Sequence, residues 1–151
     1  MDTLILGIGN VLLMDEGVGV HVLNALKHVP LPHGVEVLDG GTSGADLVDY
    51  IADREKLIVI DATVADGEPG TVYKFTIDDL IRKTSQMGSL HEFGFVETYL
   101  MAKQLGCAPR EVVIFGVQPA EIEFGLDLSD SVQKQVPRLL KLVVEEANRL
   151  V

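Results

Sequence analysis

The chain has 151 residues, room for one domain with a real core and too little for two. Apolar residues make up 47% and charged residues 23%, the balance of a globular protein and not of a disordered one. With 12 Lys and Arg against 23 Asp and Glu the net charge is −11, which repels phosphate backbones and argues against nucleic acid as a partner.

Residues 3–6 form a short β-rich run that stops at Gly7-Ile8-Gly9-Asn10. From Glu16 the spacing changes: Val18, Val22, Leu23 and Leu26 predict an amphipathic helix, ended by Pro30 and Pro32. A second strand is expected over 35–38, followed by a glycine-rich turn, Asp39-Gly40-Gly41-Thr42-Ser43-Gly44. A short helix should then turn Leu47, Val48 and Ile51 inward. Residues 57–60 are continuously apolar, the mark of a strand buried on both faces, and stop at Asp61. Residues 70–76 alternate with a period of two. The turn before them is too short for a crossover helix, so this strand is expected to run antiparallel to its predecessor. A polar, flexible stretch over 82–89 leads to His91, and a helix around 92–105 is closed by Gly106. Residues 112–117 give the last buried strand. Ser129-Asp130-Ser131 offers caps for a terminal helix, within which Pro137 should produce a kink or displace the start. Five strands interleaved with helices predict one three-layer α/β/α domain over 1–151, its ligands beyond the carboxyl ends of the strands.

No apolar run approaches the ~20 residues of a membrane-spanning helix, and residues 1–7 lack the basic segment of a secretory signal. A cytoplasmic protein bound to no membrane is expected. The single cysteine, Cys107, excludes an internal disulfide and every multi-Cys zinc site; a small buried side chain is the plain expectation for it. Gly7-Ile8-Gly9 suggests a dinucleotide fingerprint, but Leu12 stands where the third glycine belongs, and Asp15 and Glu16 would face a pyrophosphate. Ser43, Asp61 and His91 follow the chain order of an α/β-hydrolase triad, although residues 39–42 separate Ser43 from its strand. His91-Glu92 lacks the second histidine of a zincin because position 95 is Phe95. His28 and His33 should be solvated, His21 could be packed, exposed or liganding, and Glu121 and Glu123 could approach the same rim.

Glu16, Asp61 and His91 remain. Each has an ordinary explanation: a carboxylate suits a helix N-terminus, an aspartate a turn and a histidine a cap. Their convergence at one edge favours a site, and two carboxylates with one imidazole suit a divalent metal such as nickel or zinc.

The run from Leu6 to Gly19, Leu-Gly-Ile-Gly-Asn-Val-Leu-Leu-Met-Asp-Glu-Gly-Val-Gly, resembles the opening signature of the nickel–iron hydrogenase maturation endopeptidases. Asp39-Gly40-Gly41-Thr42, Ile60-Asp61-Ala62 and Ser89-Leu90-His91-Glu92 resemble that family's later blocks, with Leu90 where the family usually has proline. The resemblance implies a phosphorylase/hydrolase-like fold: a mixed five-stranded sheet of order 2-1-3-5-4 whose fourth strand is antiparallel. It also implies a monomeric protease that removes a C-terminal extension from the hydrogenase large-subunit precursor once nickel is inserted. In that family nickel arrives with the precursor and is the recognition element. Glu16, Asp61 and His91 match the metal ligands, and Asp61 or Glu16 is the candidate general base. Gly40, Gly41 and Thr42 form a turn that could offer N–H groups to the substrate. A serine hydrolase built on Ser43, Asp61 and His91, and a non-catalytic nickel-binding chaperone, are the rival readings.

Overall fold

The computed structural model describes residues 2–41, 44–87, 93–120 and 122–149, and its five strands form one sheet in the order β2-β1-β3-β5-β4. They are β1 (Thr3–Ile8), β2 (Val35–Gly41), β3 (Lys56–Ala62), β4 (Val72–Thr76) and β5 (Glu111–Val117). All pairings are parallel except β4 with β5. The expected antiparallel direction of β4 holds, although β4 hydrogen-bonds to β5 and not to β3. The short turn reverses the chain, and β5 then enters between the two strands that the turn joins.

Helices α1 (Val18–Leu26), α5 (Asp130–Gln133) and α6 (Val136–Asn148) cover one face of the sheet. Helices α2 (Val48–Ile51), α3 (Ile77–Met87) and α4 (Phe93–Gln104) cover the other. Successive strand residues point to opposite faces. Ile5, Ile58, Ile60 and Phe115 therefore enter the first layer, while Leu4, Leu6, Leu57 and Val59 enter the second. Both faces need apolar residues, which is why the central strands read as unbroken apolar runs. Among the described residues no helix is long and apolar enough to cross a membrane.

Three elements differ from the sequence expectation. The stretch expected to be flexible from residue 82 is helical as far as Met87, where α3 ends. Its start is fixed reciprocally: the Thr76 N–H donates to Asp79 Oδ2 (3.1 Å), and the Asp79 N–H donates to Thr76 Oγ1 (3.1 Å). This is a capping box, hidden in the sequence by the strand pattern that ends on the same threonine. Strand β2 runs on to Gly41, so Asp39, Gly40 and Gly41 belong to the strand. The register shifts there, Gly7 facing Asp39 and Ile8 facing Gly41, as in a β-bulge. Finally, the terminal helix is broken in two, and Pro137 sits in the first turn of α6, where no helical hydrogen bond needs its missing N–H. Pro137 thus displaces the helix start and does not kink the helix.

The amino-terminal edge of the sheet is closed by an ion cluster. Lys56, only 1% exposed, donates to the Glu146 carbonyl (2.7 Å) and pairs with the Glu146 carboxylate. Lys74 Nζ (3.0 Å) and Arg149 Nε (2.8 Å) reach the same carboxylate. These contacts fasten the end of α6 to the start of β3.

Candidate functional site

The opposite, carboxyl edge is shaped by two glycines. A β-carbon on Gly19 would lie 2.3 Å from the Ile60 carbonyl oxygen and 2.7 Å from that of Ile8, so α1 begins directly on the ends of β1 and β3. The 3-10 turn Met14–Gly17, just before α1, is thereby laid across the same edge. Gly9 has φ +128°, a region that disfavours side chains. A β-carbon there would stand 1.8 Å from the Glu16 carbonyl oxygen and 3.7 Å from Asp61 Oδ1. Gly9 is thus the point where the Glu16 turn and the end of β3 close on one another.

Glu16 and Asp61, both half-buried, are delivered to this edge by different elements. Asp61 lies within β3, one residue before its end, and its Oδ1 accepts the Ala62 N–H (2.8 Å). His91 and Thr42 lie outside the described residues, as do Ser43, Glu92 and Glu121. Position 91 precedes Phe93, the first residue of α4, by two residues. Among the described residues no group of three His, Cys, Asp or Glu could hold a metal ion. Glu16 and Asp61 supply two carboxylates, hard oxygen donors that fit a divalent cation.

Gly40 and Gly41, expected in a turn that offers N–H groups to a substrate, lie in β2 and are partly committed within the chain. The Gly41 N–H donates to Asp39 Oδ1 (2.8 Å), and the Gly41 carbonyl accepts the Gly9 N–H (2.9 Å). Gly40 is buried, and a β-carbon on it would press on Leu6 Cδ1 at 2.9 Å. The separation assumed between Ser43 and its strand is shorter than expected, because β2 continues through Gly41. His28 and His33 are exposed, as expected. His21 is half-buried with Nε2 enclosed and unpartnered, Cys107 is half-buried against the second core, and Glu123 is exposed.

The residue that sequence reasoning passed over is Asp15. It is fully buried. Its Oδ1 accepts the Ser129 N–H (2.7 Å), and its Oδ2 accepts the Ala120 N–H (2.8 Å) and the Ser129 hydroxyl (2.7 Å). One carboxylate therefore fastens the Glu16 turn to both ends of the loop between β5 and α5. Ser129, expected as a helix cap, uses its hydroxyl on Asp15 and makes no side-chain cap. The signal was the Asp15-Glu16 pair itself: adjacent residues of a tight turn point in different directions, so one can be structural while its neighbour faces solvent.

The β3–β4 connection is fixed beside the same edge. Gln118 Oε1 accepts the Ala65 N–H (2.7 Å) and the Tyr73 hydroxyl (3.3 Å), and Lys83 of α3 donates to the Val64 carbonyl.

Comparisons with known proteins show the family and the fold. A family model described as hydrogenase maturation protease, HycI, matches residues 20–146. A hydrogenase expression/formation protein HupD of Thiocapsa roseopersicina is 36% identical over 147 residues, 95% of this chain and 66% of that protein. The hydrogenase 2 maturation protease of Escherichia coli K12 is 33% identical over 146 residues, 95% of this chain and 89% of that protein. The solved hydrogenase maturating endopeptidase HybD from E. coli superposes with a TM-score of 0.89 at 32% identity, covering 97% of this chain and 91% of the other. The chain thus spans just under two thirds of the length of the HupD relative.

Proposed function

The chain belongs to the hydrogenase maturation protease family, and from that premise we propose that it is the endopeptidase that removes the C-terminal extension of a hydrogenase large-subunit precursor after nickel has been inserted. The observation that carries the reading is that the backbone of the Glu16 turn and the Asp61 carboxylate close on one point at Gly9, on the edge where open α/β sheets hold their ligands. Glu16, Asp61 and His91 hold the nickel that the precursor brings. That ion, when present, supplies a fixed point of attachment and a Lewis acid.

This chain's residues perform two tasks. First, the three ligands tether the loaded precursor so that its extension lies along the carboxyl edge beside the end of β2, which aligns the scissile bond by proximity. Second, a carboxylate of the pair, Asp61 or Glu16, takes the proton of the attacking water. Ligation lowers a carboxylate's basicity, so the proton goes to whichever carboxylate of the pair holds the ion less tightly, through the oxygen turned away from the ion.

The test uses purified protein with nickel-loaded and nickel-free precursor, reading the mass of the large subunit. The loaded form is expected to lose its C-terminal peptide and the nickel-free form to remain whole at any enzyme concentration. Equal cleavage of both would refute nickel recognition and leave the protease standing. Binding of the loaded precursor without shortening would make the protein a chaperone.

A further inference from the structure

The loop between β5 and α5 carries an apolar lip that stands exposed among the described residues. Phe124 is 90% exposed, Leu126 65% and Ile122 46%, and Leu12 of the facing segment is 54% exposed. These are not scattered surface residues. The Gly125 N–H donates to the Leu12 carbonyl (2.9 Å) and the Met14 N–H to the Gly125 carbonyl (3.0 Å), which joins the two segments side by side. Asp15 fastens the same loop at Ala120 and Ser129. The lip is therefore held by backbone bonds next to the turn that carries Glu16, and little ordering entropy remains to be lost on binding. A rigid cluster of exposed apolar side chains marks an interaction surface.

Resting on the protease reading above, we propose that Leu12, Ile122, Phe124 and Leu126 are the docking lip for an apolar segment of the precursor polypeptide beside its cleavage site, and that they set substrate affinity. Charge selects this occupant. Exposed Glu123 and Asp127 alternate with the apolar residues, on a chain of net charge −11. A second copy of the chain and an anionic lipid surface would both bring like charge against the lip. A polypeptide with apolar side chains and a Lys- or Arg-bearing rim meets it without that repulsion.

The decisive variant is the double substitution Phe124→Ser with Leu126→Ser, compared with wild type on nickel-loaded precursor. KM and the directly measured Kd are expected to rise about tenfold or more, with kcat within about twofold and the thermal midpoint unchanged. Unchanged KM and Kd, or a fall in kcat alone, would overturn the lip as a docking surface while wild-type cleavage keeps the protease reading. Conversely, wild type that binds the precursor without shortening it, with the double variant binding more weakly, overturns the protease reading and keeps the lip. A wild-type dimer dispersed by the double variant, or wild-type binding to anionic vesicles, also overturns the proposal. Should the double variant unfold, Phe124→Lys alone carries the same comparison.

Discussion

Asp15 and Glu16 are chemically near-identical neighbours with opposite duties. Asp15 is enclosed and satisfied by two backbone N–H groups and a hydroxyl, so its loss would strand three donors at once. Asp15→Ala is expected to cost about 3 kcal/mol, the scale of removing a buried charged acceptor, and to lower the thermal midpoint by roughly 6–12 °C. Processing should fall with it because the Glu16 turn loses its anchor; calorimetry beside a cleavage assay checks both. Glu16→Gln and Asp61→Asn should do the reverse. Each keeps the size and an acceptor oxygen at a half-buried position, so stability should move by less than about 1 kcal/mol while processing is lost. His91→Ala is expected to behave like these two, losing processing with the thermal midpoint little changed. Should any of the three lose as much stability as Asp15→Ala while processing normally, that residue is structural.

Glycine at position 9 is an element-scale requirement, because it lets the β1 loop and the Glu16 turn touch. Gly34 makes the natural control. Its φ is +88°, and nothing lies within 4 Å of the place its β-carbon would take, so Gly34→Ala adds only backbone strain, about 1 kcal/mol. Gly9→Ala adds the strain of φ +128° together with a β-carbon 1.8 Å from the Glu16 carbonyl. It should cost at least about 3 kcal/mol and abolish processing, since the turn must shift away from Asp61. Urea unfolding of the two variants side by side separates strain from collision. A Gly9→Ala protein as stable and active as Gly34→Ala would mean that the two walls of the edge are not rigidly joined.

Across the whole molecule the two ends of the sheet divide the work. The carboxyl end carries the Glu16 and Asp61 carboxylates, while the amino end locks the C-terminal helix with the Lys56, Lys74, Glu146 and Arg149 cluster. Burial alone would raise the Glu146 pKa, but hydrogen bonds from Lys56, Lys74 and Arg149 outweigh it and hold the carboxyl at about 2, against 4.5 for a free glutamate. A depressed carboxyl stabilises the fold fully above pH 4.5 and ceases to do so as the pH falls through about 2. Acid titration of the unfolding free energy should therefore show a loss of up to about 3 kcal/mol across that window. Glu146→Leu should remove that slope. It should also destabilise the protein by about 3 kcal/mol at neutral pH, because buried Lys56 loses its close carboxylate and keeps Glu111 at 3.9 Å. Adding Lys56→Met to Glu146→Leu should recover much of the loss.

The sequence by itself determined the layers, the parallel core strands and the reversed fourth strand, because burial period and loop length are local properties. It also brought Glu16 and Asp61 to one edge, since strand ends and helix starts alternate along the chain. Only the tertiary structure decided the rest. That β5 enters between β3 and β4, as the family resemblance implies, is written in no local pattern, because it depends on a pairing made about forty residues after the turn. The Thr76–Asp79 box and the bulge opposite Gly7 were masked by strand patterns running through them. The identity of Asp15 as the clamp could not be read from its neighbours. Its partners, Ala120 and Ser129, stand more than a hundred residues away, and which of two adjacent acids turns inward is settled by what the folded chain places opposite them.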